Sequence, residues 1–433
     1  DAWPRDAWPR DVWLRRTRIP ACLFAVPPPA PAGRDGLVEV DLRLTDGRIA
    51  AIAPAGTAAE GIDRALGMTL PCFIDSHVHL DKTQISPRQP EGGGTHDGAI
   101  AAVRADREAH WTEADIAARF EFGLRCAYAH GTAAMRTHID SYWPHARHGW
   151  AVFRRLRDAW AGRIALQAVS LCPLERFMGA DGAALADEIA ASGGLLGMSL
   201  MGAPDPAQLD VFFGLAEARG LSLDLHLDET GDAGSRALRA VAETALRRRF
   251  ARPIQVGHVC SLSVQDEAEA AATIALCAEA GIRVVNLPMC NMYLMGRTPG
   301  RTPRWRGITQ LHEFRAAGIA VAFASDNCRD PFYAYGDYDM MEVYREAVRI
   351  AQLDHPHADW IASVARVPAQ TCGFDGLGVI DVGAGADLIL CSARALTELL
   401  ARPQSDRVVL RAGRALDAKP PAFSELDAVV GGP

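Results

Sequence analysis

From Met68 to Asn327 the chain repeats one alternation eight times, a short apolar run followed by a longer segment of helical periodicity. The runs are MTLPCFIDSHVHLD, TAAMRTHID, IALQAVSLC, GLLGMSLM, LSLDLHLDE, PIQVGHVCS, IRVVNLPMC and IAVAFASDN. Between them, stretches such as DPAQLDVFFGLAEARG and VQDEAEAAATIALCAEAG space their apolar residues as an amphipathic helix does. Eight β-then-α units predict an α/β fold, a (β/α)8 TIM-type barrel, whose reactive side chains stand at the C-terminal ends of the strands.

A barrel occupies roughly 250 residues, and the chain has 433. Part of the remainder reads as β-structure. LVEVDLRLTDGRIAAIAP alternates apolar and polar residues on either side of Asp46-Gly47, the signature of a hairpin, and VIDVGAGADLILCSA and RVVLRAGRAL read the same way near the other end. The expectation is a small β-sandwich domain assembled from residues 14–70 and 376–433, with the barrel over 71–375. Residues 1–13, DAWPRDAWPRDVW, repeat with a period too short for any solenoid unit and are expected to form an irregular extension.

Composition narrows the ligand. With 45 basic against 53 acidic residues the net charge is -8, which gives no electrostatic reason to expect nucleic acid or an anionic membrane as partner. Ten cysteines without C-x-x-C spacing read as reduced thiols. No apolar run approaches the ~20 residues of a membrane span, and IPACLFAVPPPAPAG is broken by prolines where a signal peptide would be continuous. The expected protein is cytoplasmic and acts on a small molecule.

His77 and His79 lie two residues apart at the end of the first run, so both can leave one face of the strand toward one point. Polar residues at or after the other strand ends are His138, Gln167, His226, Glu229, His258, Asn286 and Asp326. Three imidazoles and a carboxylate, His77, His79, His226 and Asp326, would hold one divalent ion. That donor set suits Zn²⁺ or Fe²⁺, tolerates Mn²⁺, and is too rich in nitrogen for Mg²⁺ or Ca²⁺. Glu229, three residues past His226, is placed to move protons at such a centre.

The motifs HVHLDKT, RTHID, QAVSLCP, HLDE, GHVCS, NMYLMGR, RWRGIT and SDNCRDPFY, in that order, resemble the amidohydrolase superfamily, and more closely its cytosine deaminase branch. The resemblance covers roughly Leu37 to Leu416. It implies that His77, His79, His226 and Asp326 bind the metal, that Glu229 is the proton shuttle, that His258 orients the attacking water, and that Gln167 hydrogen-bonds the heterocycle. It also implies a homo-oligomer. Many superfamily members hold two metals on a carbamylated lysine of the fourth barrel strand. Here the only lysines are Lys82 and Lys419, neither of which falls on that strand, so one metal is expected. The other zinc deaminase fold needs a P-C-x-x-C segment, which is missing from this sequence.

The expected activity is therefore metal-dependent hydrolytic deamination, releasing ammonia from the exocyclic amine of a cytosine, isocytosine, isoguanine or pterin-type ring. The cytosine pattern has an acidic pair at the last strand and a tryptophan beyond it, whereas this chain has Asn327 after Asp326 and then Phe332. Those substitutions leave room for a larger ring, so that a pterin, isoguanine or isocytosine rivals cytosine, and make Asn327 and Phe332 candidate substrate contacts. Arg297, Arg301, Arg304 and Arg306 form a basic loop suited to a substrate carboxylate, a subunit contact or simple solvation. Two other readings compete: hydrolysis of a cyclic amide or amidine on the same mononuclear centre, and a non-catalytic metal-binding protein. A structural metal site would need neither Glu229 nor His258, which weighs against the second.

Overall fold

The computed structural model describes residues 8–89, 92–143, 145–355 and 359–432. The chain divides into two compact units, one of Asp1–Asp75, Arg125–Ala134 and Asp339–Pro420, the other of Ser76–Leu124, Met135–Tyr338 and Pro421–Pro433.

The first unit carries two four-stranded sheets. In one, Arg48–Pro54, Leu37–Thr45, Asp11–Pro20 and Ile62–Asp63 lie side by side in that order. Asp46 and Gly47 join the hairpin with φ of 48° and 79°, the left-handed pair that a two-residue turn needs to match strand twist. The long strand Asp11–Pro20 shifts register between Leu14 and Thr17. The bulged Arg16 amide donates to the buried Asp41 carboxylate, which also accepts from the amides of Gly56 and Ala58. Three amide donors satisfy an acid that would otherwise be costly to bury. This strand starts at Asp11, inside the third copy of the repeat, so the expected irregular extension ends before residue 13; residues 1–7 lie outside the described residues. In the second sheet Thr69–Pro71 pairs antiparallel with Leu388–Leu390, followed by Val408–Arg411 and Arg414–Ala415, so distant parts of the sequence share one ladder.

The eight apolar runs supply eight strands: Phe73–Val78, Thr132–Asp140, Ala165–Leu171, Ser199–Leu200, Leu223–Leu227, Ile254–His258, Arg283–Asn286 and Val321–Phe323. The first three form one sheet and the last five a second, parallel one. Parallel bridges Val169 to Leu195 and Pro173 to Ser199 join the third strand to the fourth, and Val78 to Asp326 joins the first to the eighth. The ring of eight is thereby complete. The fourth strand is short because Ser170 Oγ donates to the carbonyl and accepts from the amide of Gly197, replacing ladder bonds at that seam. Strands such as Phe73–Val78, Leu223–Leu227 and Ile254–His258 are buried at every residue, as barrel strands covered on both faces must be.

Helices follow the strands and are bounded by local chemistry. Pro206–Arg219 starts on the Asp205 side chain, with Pro206 in its first turn, and stops at Gly220 with φ 62°. Glu267–Glu279 starts where Asp266 accepts from the amides of Ala268 and Glu269. No described helix is long and apolar enough to cross a membrane.

Candidate metal centre and active site

His77 comes from the first barrel strand and His79 follows its end, His226 from the fifth, and Asp326 lies three residues past the eighth. Their ligating atoms converge. His226 Nε2 lies 3.0 Å from His77 Nε2 and 3.3 Å from His79 Nε2, and Asp326 Oδ1 lies 3.1 Å from His79 Nε2 and 3.6 Å from His77 Nε2. Four ligands at 2.0–2.1 Å around a tetrahedral ion stand about 3.3 Å apart, so the spacing fits a cation. Burial agrees. Both oxygens of Asp326 are buried without a hydrogen-bond partner among the described residues, an arrangement that costs free energy unless an ion takes their lone pairs. Burial first, and then the neighbouring imidazoles, with Lys82 ahead of them for His79, drive all three rings well below the usual histidine range. They are neutral donors at pH 7, as ligation requires.

Two backbone features aim these groups. Asp326 adopts φ 64°, with its amide donating to the His77 carbonyl at 2.9 Å, so the eighth strand end is tied to the first at the ligand itself. Gly257, on the sixth strand, leaves room for a ring: a Cβ there would stand 2.8 Å from His77 Cε1. Gly257→Ala is expected to lower metal affinity about 10–100-fold, the cost of disturbing a ligand's support. Metal content after dialysis against a weak chelator checks this, and full retention would refute it.

A fourth imidazole, His138 from the second strand, packs on His77 with ring centroids 4.0 Å apart, and its ligating atom falls within 4.8 Å of those of His77, His79 and His226. Its Nε2 faces Asp224 Oδ1 at 3.5 Å, and the other Asp224 oxygen accepts from Arg136 and Gln255. Sequence reading noted this histidine at a strand end and gave it no part in the centre.

Glu229 and His258 meet beside the cluster. Asn291 Nδ2 donates to Glu229 Oε1 at 3.3 Å and to His258 Nδ1 at 2.9 Å. His258 Nδ1 also lies 3.3 Å from Glu229 Oε1, while its Nε2 has no hydrogen-bond partner among the described residues. The other Glu229 oxygen lies 3.4 Å from His96 Nε2. Burial opposes ionisation of Glu229, but the imidazoles of His258 and His96 outweigh it and hold the carboxyl below its ordinary value. Glu229 therefore rests as a base, where the sequence-based expectation of a proton shuttle did not fix its resting state. Burial lowers His258 to about 4, against the opposing pull of Glu229.

These groups open onto a cavity of about 390 Å³ lined by His79, His226, Glu229 and His258, with Asn327, Phe332, Lys82 and His96 around them. Leu171, Leu200, Ile100 and Val103 supply apolar wall. Asn327 donates to Asp330 and Phe332 lies under the Lys82 ammonium, 4.9 Å from ring centroid to Nζ. Burial alone would lower Lys82, yet Asp140, Asp81, Asp330 and Asp326 raise it to about 12.

Gln167 is the expectation the structure corrects. It sits near the start of the third strand, accepts from Arg136 Nε at 2.9 Å, and does not line the cavity. The residues of that strand that reach the cavity are Leu171, Cys172, Pro173 and Glu175, at and beyond its other end. An apolar run read from sequence has no visible mouth, and Gln167 was placed at the wrong end of it. Arg297, Arg301, Arg304 and Arg306 do not line the cavity either; Arg297 lies over the Tyr293 ring at 4.3 Å. Burial raises the thiols of Cys172, Cys290 and Cys328 far above their usual range, which removes them as nucleophiles. Asn291, His96 and Lys82 were missed. Lys82 was readable from its place in HVHLDK and Asn291 from its place at the head of NMYLMGR, whereas His96 has no local signature.

The amidohydrolase family profile matches residues 175–416. The pterin deaminase of Rhizobium rhizogenes is 52% identical over 403 residues, covering 92% of each chain. Among solved structures, 5-methylcytosine deaminase from Klebsiella pneumoniae, liganded with 5-fluorocytosine, superposes with a TM-score of 0.79 at 23% identity, covering 94% of this chain and 97% of that one. N-isopropylammelide isopropylaminohydrolase from Burkholderia multivorans gives 0.69 at 26% identity, with coverage of 94% and 97%.

Proposed function

We propose, for a chain that belongs to the amidohydrolase family, that the substrate is a pterin and the reaction its deamination to a lactam. The protein is a hydrolase of carbon–nitrogen bonds in cyclic amidines and acts on an N-heterocycle with water. The pterin assignment rests on the 52% identity to a pterin deaminase across nearly the whole of both chains. The cavity, about 390 Å³ with an apolar wall, supports it because it lies within the size range of sites that enclose small molecules.

A divalent cation held by His77, His79, His226 and Asp326, with Zn²⁺ or Fe²⁺ preferred over Mn²⁺ for this donor set, supplies when bound an acidified water and a Lewis acid beside the substrate. His258, fixed at Nδ1 by Asn291, presents its Nε2 proton to orient that water and to stabilise the oxygen as the ring carbon becomes tetrahedral. Glu229, resting as a carboxylate, receives a proton and hands it to the ring nitrogen next to the amine. Asp326 takes the second water proton and returns it to the amine. The carbon–nitrogen bond breaks, ammonia leaves and the water oxygen remains as the lactam carbonyl. Phe332 offers a ring face to the heterocycle and Asn327 a polar edge.

Ammonia release by metal-replete protein, compared across pterin, cytosine, isocytosine, isoguanine, guanine and creatinine, tests the assignment. Pterin is expected to exceed the single-ring substrates in kcat/KM by at least ten-fold. A cytosine or creatinine preference would overturn the ring assignment, and no ammonia from any of them would turn the chemistry toward cyclic-amide hydrolysis.

A further inference from the structure

Beside the Phe332 wall, the cavity is bordered by Arg104, Arg107 and Tyr142, none of which the reaction above uses. The same three residues line a second recess of about 330 Å³, together with Trp143, Glu108 and Arg176. No imidazole of the metal cluster lines that recess. The two spaces thus meet at a corner made of guanidinium groups and an aromatic ring.

The charges of this corner are unequally satisfied. Arg107 is buried and spends its charge on Asp140, with Nη1 to Oδ2 at 2.7 Å, while Asp140 also holds Lys82 at 3.3 Å. Arg104 and Arg176 are exposed and have no acidic partner among the described residues. Arg107 and Arg176 both lie over the Tyr142 ring, at 4.1 and 5.6 Å from its centroid, which holds both guanidinium groups near the ring. Glu108 is the acidic side chain lining the recess, against three arginines, and Glu175 lines the main cavity.

We infer that Arg104 and Arg176, set around Tyr142, bind an anionic substituent carried by the ring on an edge away from the scissile amine. The inference rests on the pterin reading and extends it: the preferred substrate is a pterin bearing a carboxylate or phosphate group on its side chain. Both anions match the planar, forked donors of arginine. A heterocycle in the main cavity extends such a group into the second recess, and the neutral parent ring leaves Arg104 and Arg176 unengaged.

The test uses the metal-loaded enzyme and four substrates: pterin, 6-hydroxymethylpterin, pterin-6-carboxylate and the phosphate ester of 6-hydroxymethylpterin. The readout is the kcat/KM of each anionic substrate divided by that of 6-hydroxymethylpterin. In the unaltered protein the ratio is expected to exceed one and to shrink with added salt. In the Arg104→Gln, Arg176→Gln double variant it is expected to fall at least ten-fold, and Arg176→Lys alone is expected to retain part of it. The anionic substrate with the larger loss identifies carboxylate or phosphate as the natural group. A ratio unchanged in the double variant overturns this subsite while leaving the pterin assignment standing. Absence of turnover of all four substrates by the unaltered enzyme overturns the pterin assignment and the subsite with it. Both arginines are exposed, so the variants are expected to fold, and an unchanged melting temperature confirms that the ratio reports binding.

Discussion

Glu229→Gln is expected to lower kcat about 10²–10⁴-fold, the usual contribution of a positioned general acid–base, while the protein stays folded and keeps its metal. The expectation follows from its surroundings. One carboxylate oxygen is held by Asn291 and faces His258 Nδ1 at 3.3 Å, the other faces His96, and neither is needed to complete the His77, His79, His226 and Asp326 set. Glutamine preserves the shape and the contact with Asn291 but can neither take up nor deliver a proton. Ammonia release and metal content, measured on the same preparation, separate the two roles. An unchanged kcat at full metal occupancy would remove Glu229 from proton transfer. Loss of metal together with activity would instead make Glu229 a ligand, in keeping with its proximity to Asp326 and Cys290.

Removing the metal should abolish activity and destabilise the fold, with both effects reversed by Zn²⁺, Fe²⁺ or Mn²⁺. The Nε2 atoms of His77 and His79, 3.0 and 3.3 Å from that of His226, and a buried Asp326 carboxylate without a hydrogen-bond partner are held together at a cost that a cation offsets. Binding to the folded state alone stabilises it by about 2.7 kcal/mol at a free-metal concentration of 100 times Kd and about 4.1 kcal/mol at 1,000 times. The pH dependence has a definite sign. Burial lowers the folded pKa of His77, His79 and His226 well below the ordinary histidine value of about 6.5, so below that pH the unfolded chain binds protons that the folded rings refuse. Stability of the metal-stripped protein therefore falls as pH drops through 6.5. Thermal unfolding with and without chelator, at pH 7.5 and 5.5, checks both statements. Equal melting temperatures with and without metal at pH 7.5 would show that these four residues hold no ion.

The reading of His258 gains from the same geometry. The sequence placed a histidine at the end of the sixth strand; the structure adds that Asn291, from the helix after the seventh strand, occupies its Nδ1. That engages Nδ1 and leaves Nε2 as the ring nitrogen without a partner among the described residues, a detail on which orientation of the water depends. His96 arrives from the first turn of the helix His96–His110 and meets Glu229 only because the chain folds that turn back over the barrel mouth.

The residue pattern by itself determined the eight strands, because a strand buried on both faces must be apolar along its length and therefore stands out as a run. It also brought out the candidate ligands, since His77 and His79 share a face by their spacing and His226 and Asp326 close their own runs. The hairpin at Asp46-Gly47 was equally plain, for the two-residue turn demands residues tolerant of positive φ. Tertiary structure alone decided which end of each strand faces the cavity, and so set Gln167 apart from Leu171 and Glu175. It decided that the ring closes, through Val78 with Asp326 and Val169 with Leu195. It brought Asn291, His96, Arg104 and Arg176 to the cavity or its rim from helices and loops. The physical reason is that periodicity encodes the face a residue turns to its neighbours, within a few residues of chain. Which faces meet across the barrel depends on how all eight strands pack at once.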